Sequence, residues 1–239
     1  MKEKRQALKA AFPVTIPVLM GYLFIGIAYG MLMASKGYAY GWSILMSLFV
    51  YAGSMQFVAT NFFAGGTSWI TIIFITFMVN IRHVFYGLSM LTKLKDMGRK
   101  KPYMIFSLTD ETFSLLCSAA APEGVNQNWF LFFIALLDQF YWVAGSILGG
   151  IAGSFIPFNT KGIDFAMTAL FIVIFVEQWQ SCKQHLPAVT GVLVSLLCLL
   201  IFGPSGFILP SMIAIVLFLT ASYQKPKKEP AERNGEENA

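Results

Sequence analysis

The chain has 239 residues, of which 56% are hydrophobic and 12% are charged, and its mean hydropathy is +0.65. This composition excludes an ordinary water-soluble domain and predicts an integral membrane protein in a lipid bilayer. The net charge of +5 does not indicate a nucleic-acid partner, because 13 of the 17 Lys and Arg residues fall in three short stretches beside apolar segments, at 2–9, 93–101 and 225–233.

Eight apolar runs of helical length follow one another along the chain. They lie at residues 12–34, 42–64, 68–91, 103–121, 129–155, 163–180, 187–203 and 205–222. We therefore expect an all-α, polytopic transmembrane bundle of seven or eight hydrophobic segments. Residues 1–222 would form a single integral membrane domain, and the polar tail 223–239 would be disordered. The first run is too long for the apolar core of a signal peptide, so we expect it to be retained.

The basic stretches constrain how these segments cross the membrane. If the N-terminus is cytoplasmic, three simple crossings would place the basic loop 93–101 outside, against the positive-inside rule. The conflict disappears if each half of the chain has one broken or re-entrant segment. The candidates are 42–64, which is interrupted at Ala52-Gly53-Ser54, and either 103–121 or the hairpin 187–222. Termini on opposite sides, with one basic stretch breaking the rule, remain the alternative.

The spacing of the runs also suggests an internal repeat. Runs begin near residues 12, 42 and 68 and again near 103, 129 and 163. The offset of about 90 residues would relate two halves of the chain, and repeats with interrupted helices are common in secondary transporters.

The third run carries Arg82 and His83 well inside a segment that is long enough to cross a bilayer. A charge near the bilayer centre costs on the order of 2.5 to 3.5 kcal/mol on insertion scales, so Arg82 needs a partner in the protein interior. Acids within the apolar runs outnumber it: Asp110, Glu111, Asp138 and Glu177.

Carboxyl groups at membrane depth can take up and release protons at physiological pH. We therefore predict that the proton-coupling groups are His83, Asp110, Glu111 and Asp138. The plain alternative is a structural ion pair between Arg82 and one acid, with the other acids capping helices at the interface. Glu177 lies near a segment end and is expected to be such an interface group.

The sequence Tyr51-Ala-Gly-Ser-Met-Gln-Phe57 has the composition of a broken membrane helix. Gly53 would relax the backbone, and Ser54 could cap the helix where it restarts. A half-helix N-terminus inside the bilayer offers free N–H groups and would attract a carboxylate. We predict a substrate site made of Gly53, Ser54, Gln56, Asn80 and Arg82. A glycine contact between closely packed helices is the alternative explanation of Gly53.

Two ladders of glycine predict close helix packing. They are formed by Gly26 and Gly30 in the first run and by Gly145, Gly149 and Gly153 in the fifth. Asp138 and Trp142 share a helical face with the second ladder. The facing helix could belong to this chain or to a partner subunit.

Motifs for enzymes and cofactors are mostly absent, since the chain has no Walker A loop, no His-Glu-x-x-His and no Cys-x-x-Cys. We expect no metal, no cofactor and no enzymatic activity. One match to rhomboid-type intramembrane proteases is Gly203-Pro-Ser-Gly206. In that family the catalytic histidine follows the serine, whereas both histidines here precede Ser205. A turn between helices explains this motif better.

Four motifs together resemble the AzlC family: Tyr51–Phe57, Asn80–Ser89, Thr109–Phe113 and the glycine-rich segment around Asp138. The resemblance spans about residues 10–220. It implies a multi-pass protein of the bacterial inner membrane that exports leucine, isoleucine and valine with a small hydrophobic subunit of the AzlD type.

Residue chemistry and resemblance together give a hypothesis for transport. An apolar pocket lined by Phe and Met would hold the aliphatic side chain of the amino acid. Its carboxylate would lie near Ser54 and Gln56 or against Arg82, and its ammonium near Asp138 or Asp110. An incoming proton would displace the ammonium, which makes the protein an antiporter. A passive channel for small solutes is the alternative.

Overall fold

The computed structural model describes residues 2–63, 65–155, 165, 168–169, 172–173, 175–176, 179–180, 184–203 and 206–222. Glu177, Ser205, the tail 223–239 and most of the run 163–180 lie outside these residues, so the predictions made for them remain predictions. The described residues are mostly helical and include no strand, which confirms the all-α class. Two compact units are present, Met1–Gln178 and Trp179–Ala239. The single domain over 1–222 remains a prediction.

In chain order the helices are α1 (Lys2–Ser35), α2 (Tyr40–Phe49), α3 (Gly53–Phe62), α4 (Trp69–Met90), α5 (Lys101–Phe106), α6 (Asp110–Ser118), α7 (Gln127–Phe155), α8 (Leu186–Phe202) and α9 (Ile208–Ser222), with a 3-10 helix over Lys95–Lys100 before α5. Three of those described, α1, α4 and α7, are long and apolar enough to cross a membrane. The predicted run 42–64 is broken between α2 and α3, and the run 103–121 between α5 and α6.

Helices α1 and α7 pack backbone to backbone through their glycines. A Cβ atom at Gly30 would lie 2.3 Å from the Ser146 carbonyl oxygen. At Gly149 it would lie 2.0 Å from the Ile27 carbonyl oxygen. Gly26, Gly145 and Gly153 make similar close approaches between the same two helices. Both glycine ladders therefore face each other within this chain.

Helices α2 and α3 form a hairpin that enters and leaves at the C-terminal end of α7. Tyr38, just before α2, donates a hydrogen bond from its hydroxyl to the Phe63 carbonyl oxygen, just after α3, at 2.9 Å. The start of α2 lies beside Gly150 of α7. The tip is deeper, because a Cβ at Gly53 would be 3.1 Å from the Trp142 ring. The pair is therefore re-entrant, as predicted for one segment of the first half.

Helices α5 and α6 form a second hairpin, at the opposite end of α7. Lys93 caps the C-terminus of α6 by donating from Nζ to the carbonyl oxygens of Leu116, Cys117 and Ala119. The Ala121 N–H donates to Gln127 Oε1 at the start of α7, at 2.8 Å. The tip of this hairpin reaches the middle of α7, where Thr112 bonds to Asp138.

The first two basic stretches meet at the N-terminal end of α7. Lys4 and Lys100 lie over the Trp129 ring, with Nζ 4.4 and 3.8 Å from its centroid. Partial burial of the Lys100 ammonium group lowers its pKa, and repulsion from Lys4 lowers it further. The N-terminus and the loop 93–101 are thus at the same end of the first unit, which is the arrangement that their charge predicted.

The second unit contains α8 and α9, which pack against each other. Helix α8 ends at Phe202 and is followed by Gly203, whose φ of 70° lies in the left-handed region that favours glycine. The expected turn before α9 is described at Gly203 and Gly206, and Ser205 between them lies outside the described residues.

Replacing Gly149 by Ala should destabilise the protein, because its methyl group would meet backbone atoms of α1 that cannot move independently. Overpacking of this kind costs about 1–3 kcal/mol. Thermal unfolding in detergent measures the effect. The matched control is Gly21→Ala, also in the α1–α7 pair, where no atom lies within 4 Å of an added Cβ. Equal melting temperatures for the two variants would contradict the assigned contact.

Candidate functional site

Both re-entrant hairpins place a helix N-terminus inside the first unit. Helix α3 begins at Gly53 after Ala52, and no side chain caps it. Helix α6 begins at Asp110 and is capped by Thr109, whose Oγ1 accepts from the Thr112 N–H at 3.2 Å. Two positive ends of helix dipoles therefore meet near the middle of α7. The expectation that Ser54 caps α3 is wrong, because its hydroxyl is used by Arg82.

Arg82 joins the two hairpin tips. Its Nη1 forms an ion pair with Asp110 Oδ2 at 2.8 Å, and its Nη2 donates to Ser54 Oγ at 2.7 Å. Asp110 also accepts a hydrogen bond from the Tyr86 hydroxyl. Asp110 is thus the interior partner that a charged Arg82 was expected to need. The third nitrogen of the guanidinium, Nε, is buried and has no partner among the described residues.

Tyr51, at the tip of the first hairpin, has a strained backbone. Its φ is 43°, and it is the one described non-glycine residue with a positive φ. The side chain is 3% exposed, and its buried hydroxyl has no partner among the described residues. A bulky residue held in this region costs about 1–3 kcal/mol and persists where the surroundings fix it, which is typical of ligand sites.

A small polar cavity lies where the two tips meet α4. Its lining residues come from α1, both hairpins, α4 and α7: Tyr22, Ile25, Tyr51, Gly53, Ser54, Arg82, His83, Thr109, Asp110, Glu111 and Trp142. The free volume is about 30 Å³, which is the share of one molecule in liquid water. Every amino acid is larger than this volume, so the site must open before it can bind one.

A larger cavity adjoins this site and shares Tyr51 and His83 with it. Its volume is about 300 Å³. Five of its lining residues are apolar and come from the two hairpin tips: Val50, Ala52, Ile105, Phe106 and Leu108. The charged site and an apolar space are therefore in contact.

The predicted substrate residues separate into two groups. Gly53, Ser54 and Arg82 line the polar cavity, and Asn80 lines the adjoining apolar one. Gln56 lines neither, because its amide bonds to Trp142 Nε1 at 3.0 Å and to Ser47 Oγ at 3.1 Å. Gln56 is therefore placed to brace α3 against α7 and α2.

The predicted proton-coupling residues also separate. His83, Asp110 and Glu111 line the polar cavity, and His83 Nδ1 donates to the Asn80 carbonyl oxygen at 3.1 Å. Asp138 is 0% exposed and lies behind the cavity wall. Among the described residues no cluster of three His, Cys, Asp or Glu could hold a metal ion.

A third cavity, of about 310 Å³, is lined by Met33, Tyr38, Trp42, Met46 and Phe63. It matches the expected lining of Phe and Met for an aliphatic side chain. However, it shares no lining residue with the polar cavity. The apolar space next to Arg82 has Phe106 but no methionine.

Sequence reasoning missed Tyr22 and Thr112 as polar elements of the site. Tyr22 lies in a long apolar helix with no charged neighbour, and nothing in the local pattern distinguishes it from a core aromatic residue. Thr112 lies in the motif Thr109–Phe113, and nothing in that local sequence shows that its hydroxyl donates to Asp138. Their significance comes from contacts between distant parts of the chain.

Comparison with known proteins gives a consistent result. The family model described as "AzlC protein" matches residues 17–156. A relative from Bacillus subtilis, named "Branched-chain amino acid transport protein AzlC", is 51% identical, over 90% of this chain and 84% of its own length. An "Uncharacterized membrane protein" from Haemophilus influenzae is 42% identical over 92% and 91%. "Inner membrane protein YgaZ" of Escherichia coli is 30% identical over 77% of each chain.

No solved structure matches the chain. The relatives and the apolar helices support a transport role in a membrane.

Replacing Arg82 by Gln should leave the Asp110 carboxylate without its ion pair. The side chains of the pair are 28% and 19% exposed, so we expect a loss of about 1–3 kcal/mol, as for other buried groups that lose a partner. Combining Arg82→Gln with Asp110→Asn should recover part of this stability. Thermal unfolding of the single and double variants in detergent tests it. A double variant less stable than Arg82→Gln would contradict the pairing.

Proposed function

The chain belongs to the AzlC family, and we propose that it is the large subunit of a two-component secondary transporter that exports branched-chain amino acids by proton antiport. The observation that carries this proposal is the contact between the charged cavity and the apolar one through Tyr51 and His83. A branched-chain amino acid has the same two parts, a zwitterion and an aliphatic side chain.

Hydrogen-bond donors for the substrate carboxylate are present at the polar cavity. Arg82 Nε is buried without a partner among the described residues. The first N–H groups of α3 lie beside it at Gly53 and Ser54, with no side-chain cap. A positive dipole end and a guanidinium together favour a carboxylate.

The substrate ammonium would lie against Asp110 or Glu111, because both line the cavity. Asp138, the other acid expected at the ammonium, does not line it. The aliphatic side chain would extend past Tyr51 toward Val50 and Phe106. A proton taken up by the acidic groups would weaken their hold on the ammonium and drive release.

The small free volume of the polar cavity supports a carrier rather than an open channel. About 30 Å³ admits one water molecule but no leucine. Substrate would enter when one hairpin or α4 moves, and alternating access of this kind is typical of transporters with discontinuous helices.

Helix α4 is the proposed contact of this chain with lipid and with a small AzlD-type subunit. None of its most apolar 18-residue window is buried within the chain. Large side chains such as Ile73, Phe77 and Phe85 are exposed there. We place the protein in the bacterial inner membrane with a cytoplasmic N-terminus, on the charge of the stretches 2–9 and 93–101.

The proposal is tested by radiolabelled leucine in proteoliposomes that contain this chain, with and without a small AzlD-type membrane protein. A secondary exporter should show saturable counterflow and efflux that responds to a pH gradient. A passive channel would show neither counterflow nor saturation at modest concentration. If transport were absent with and without the small protein, the proposed function would be wrong.

Ser205→Ala should leave transport unchanged, whereas a hydrolase would need that serine.

Replacing Val50 by Phe should shift substrate preference, because the added ring fills the apolar cavity beside Arg82. Burial of one aliphatic side chain is worth about 1.5–3 kcal/mol, so leucine should lose about tenfold or more in kcat/KM relative to alanine. Initial rates of counterflow with the two labelled amino acids measure the ratio. Val216→Phe is the control, since Val216 is 50% exposed on α9 and lines none of these cavities. An unchanged ratio in Val50→Phe would remove the apolar cavity from the proposal.

A further inference from the structure

We propose that Glu111 and Asp138 share one proton through a chain of three hydroxyl groups, and that this chain carries the transported proton between the cavity and the interior. The hydroxyl groups belong to Tyr22, Thr109 and Thr112. This inference rests on the proposed proton antiport and gives that coupling a path.

The chain of hydrogen bonds is continuous across three helices, α1, α6 with its N-cap, and α7. The Tyr22 hydroxyl on α1 lies 2.8 Å from Glu111 Oε2 and is bonded to Thr109 Oγ1. Thr109 Oγ1 lies 2.9 Å from Thr112 Oγ1 on α6. Thr112 Oγ1 lies 2.9 Å from Asp138 Oδ2 on α7.

Counting protons shows why the chain needs one more. Four hydrogen bonds connect the five groups, but the three hydroxyl groups supply three protons. If both carboxyl groups are charged, one of the four gaps therefore has two oxygen atoms and no proton between them. A single additional proton, on either Glu111 or Asp138, fills every gap. Buried oxygen atoms in contact without a proton are unfavourable, so the chain favours the singly protonated pair.

The extra proton has two possible positions, on Glu111 or on Asp138. With Glu111 protonated, every hydroxyl donates toward Asp138, and the Asp138 carboxylate accepts. With Asp138 protonated, every hydroxyl donates toward Glu111. The change from the first state to the second moves four protons by one step each, so that each hydroxyl gives one proton and takes one. The net result is one proton transferred from Glu111 to Asp138, and no heavy atom leaves its partner.

The positions of Glu111 and Asp138 explain why the proposed relay uses two acids. Glu111 lines the polar cavity, where substrate and water have access. Asp138 is 0% exposed, and its Oδ1 is buried without a partner among the described residues. The hydroxyl chain is therefore the described connection between Asp138 and the cavity. Protonation at the cavity can be passed inward, which leaves Glu111 charged again for the substrate ammonium.

The surrounding titratable groups do not replace this route. Tyr51, Arg82, His83 and Asp110 face the Glu111 end across the cavity, and Asp110 is held in its ion pair with Arg82. Tyr51, Tyr103 and Tyr141 lie close enough to Asp138 to interact with it electrostatically. However, the Tyr103 hydroxyl donates to Gln139 and that of Tyr141 bonds to Thr15. The Tyr51 side chain interacts with Thr112 and so approaches Asp138 through a member of the same hydroxyl chain.

Thr112→Val is the sharpest test, because it removes the hydroxyl that connects the chain to Asp138 and keeps the shape of the side chain. In proteoliposomes of the full chain with its small subunit, pH-gradient-driven leucine efflux should fall by about tenfold or more, as expected when a proton relay is lost. Leucine counterflow at equal pH should be retained, since Thr112 does not line the cavity. Thr112→Ser keeps a hydroxyl and should restore the pH response.

The matched control is Thr60→Val, a buried threonine whose hydroxyl donates within α3 to the Phe57 carbonyl oxygen. It should keep both activities. Retained pH-driven efflux in Thr112→Val would overturn the relay while leaving the transporter assignment intact. Counterflow without any pH response in the unmodified protein would instead remove proton antiport, and the relay with it.

Infrared spectroscopy provides a readout that does not depend on transport. At neutral pH the unmodified protein should show the carbonyl stretch of one protonated carboxyl group that is missing from the variant Glu111→Gln/Asp138→Asn. Finding no such difference would overturn the shared proton, even if Thr112→Val failed to fold.

Discussion

The arginine of the third hydrophobic segment determines the arrangement of the site. A guanidinium at this depth is costly unless it is paired, and Arg82 meets that requirement with one group from each re-entrant hairpin, Ser54 and Asp110. The two hairpins enter from opposite ends of α7, so this contact lies where their tips meet. The charge therefore holds two helix N-termini, a carboxylate and a strained tyrosine around one small cavity. The rigid α1–α7 pair supplies the wall behind them.

Much of the fold could be predicted because it depends on local patterns. Hydropathy located α4, α7, α8 and α9 to within three residues at each end, and Ala52-Gly53-Ser54 marked the break between α2 and α3. Helix α1 begins at Lys2, well before the apolar run 12–34, because the basic and polar residues at its start are helical too. The charge of 93–101 required one broken segment before it, and the α2–α3 hairpin is that segment. The glycine ladders predicted close packing, but the sequence could not say that they face each other. That fact depends on the register of α1 against α7, which involves residues more than 100 positions apart.

The site was less predictable, since its chemistry arises from contacts between segments. Sequence alone identified Arg82 and the surplus of acids, but it could not choose Asp110 as the partner over Asp138. It placed Gln56 with the substrate, whereas the amide is used to join α3 to Trp142. Tyr22 carried no signal in an apolar helix. A polar side chain in a membrane helix can bind a ligand or satisfy a neighbour, and only its distance to other groups separates the two.

Lys93 gives the second hairpin another connection to α4. It follows α4 and caps the C-terminus of α6, while Arg82 on α4 holds the N-terminus of α6 through Asp110. Helix α6 is thus bonded to α4 at both ends, and Thr112 bonds it to Asp138 of α7 as well. A displacement of α4 that carried α6 with it would break the Thr112–Asp138 bond, so opening the cavity in this way would also interrupt the hydroxyl chain.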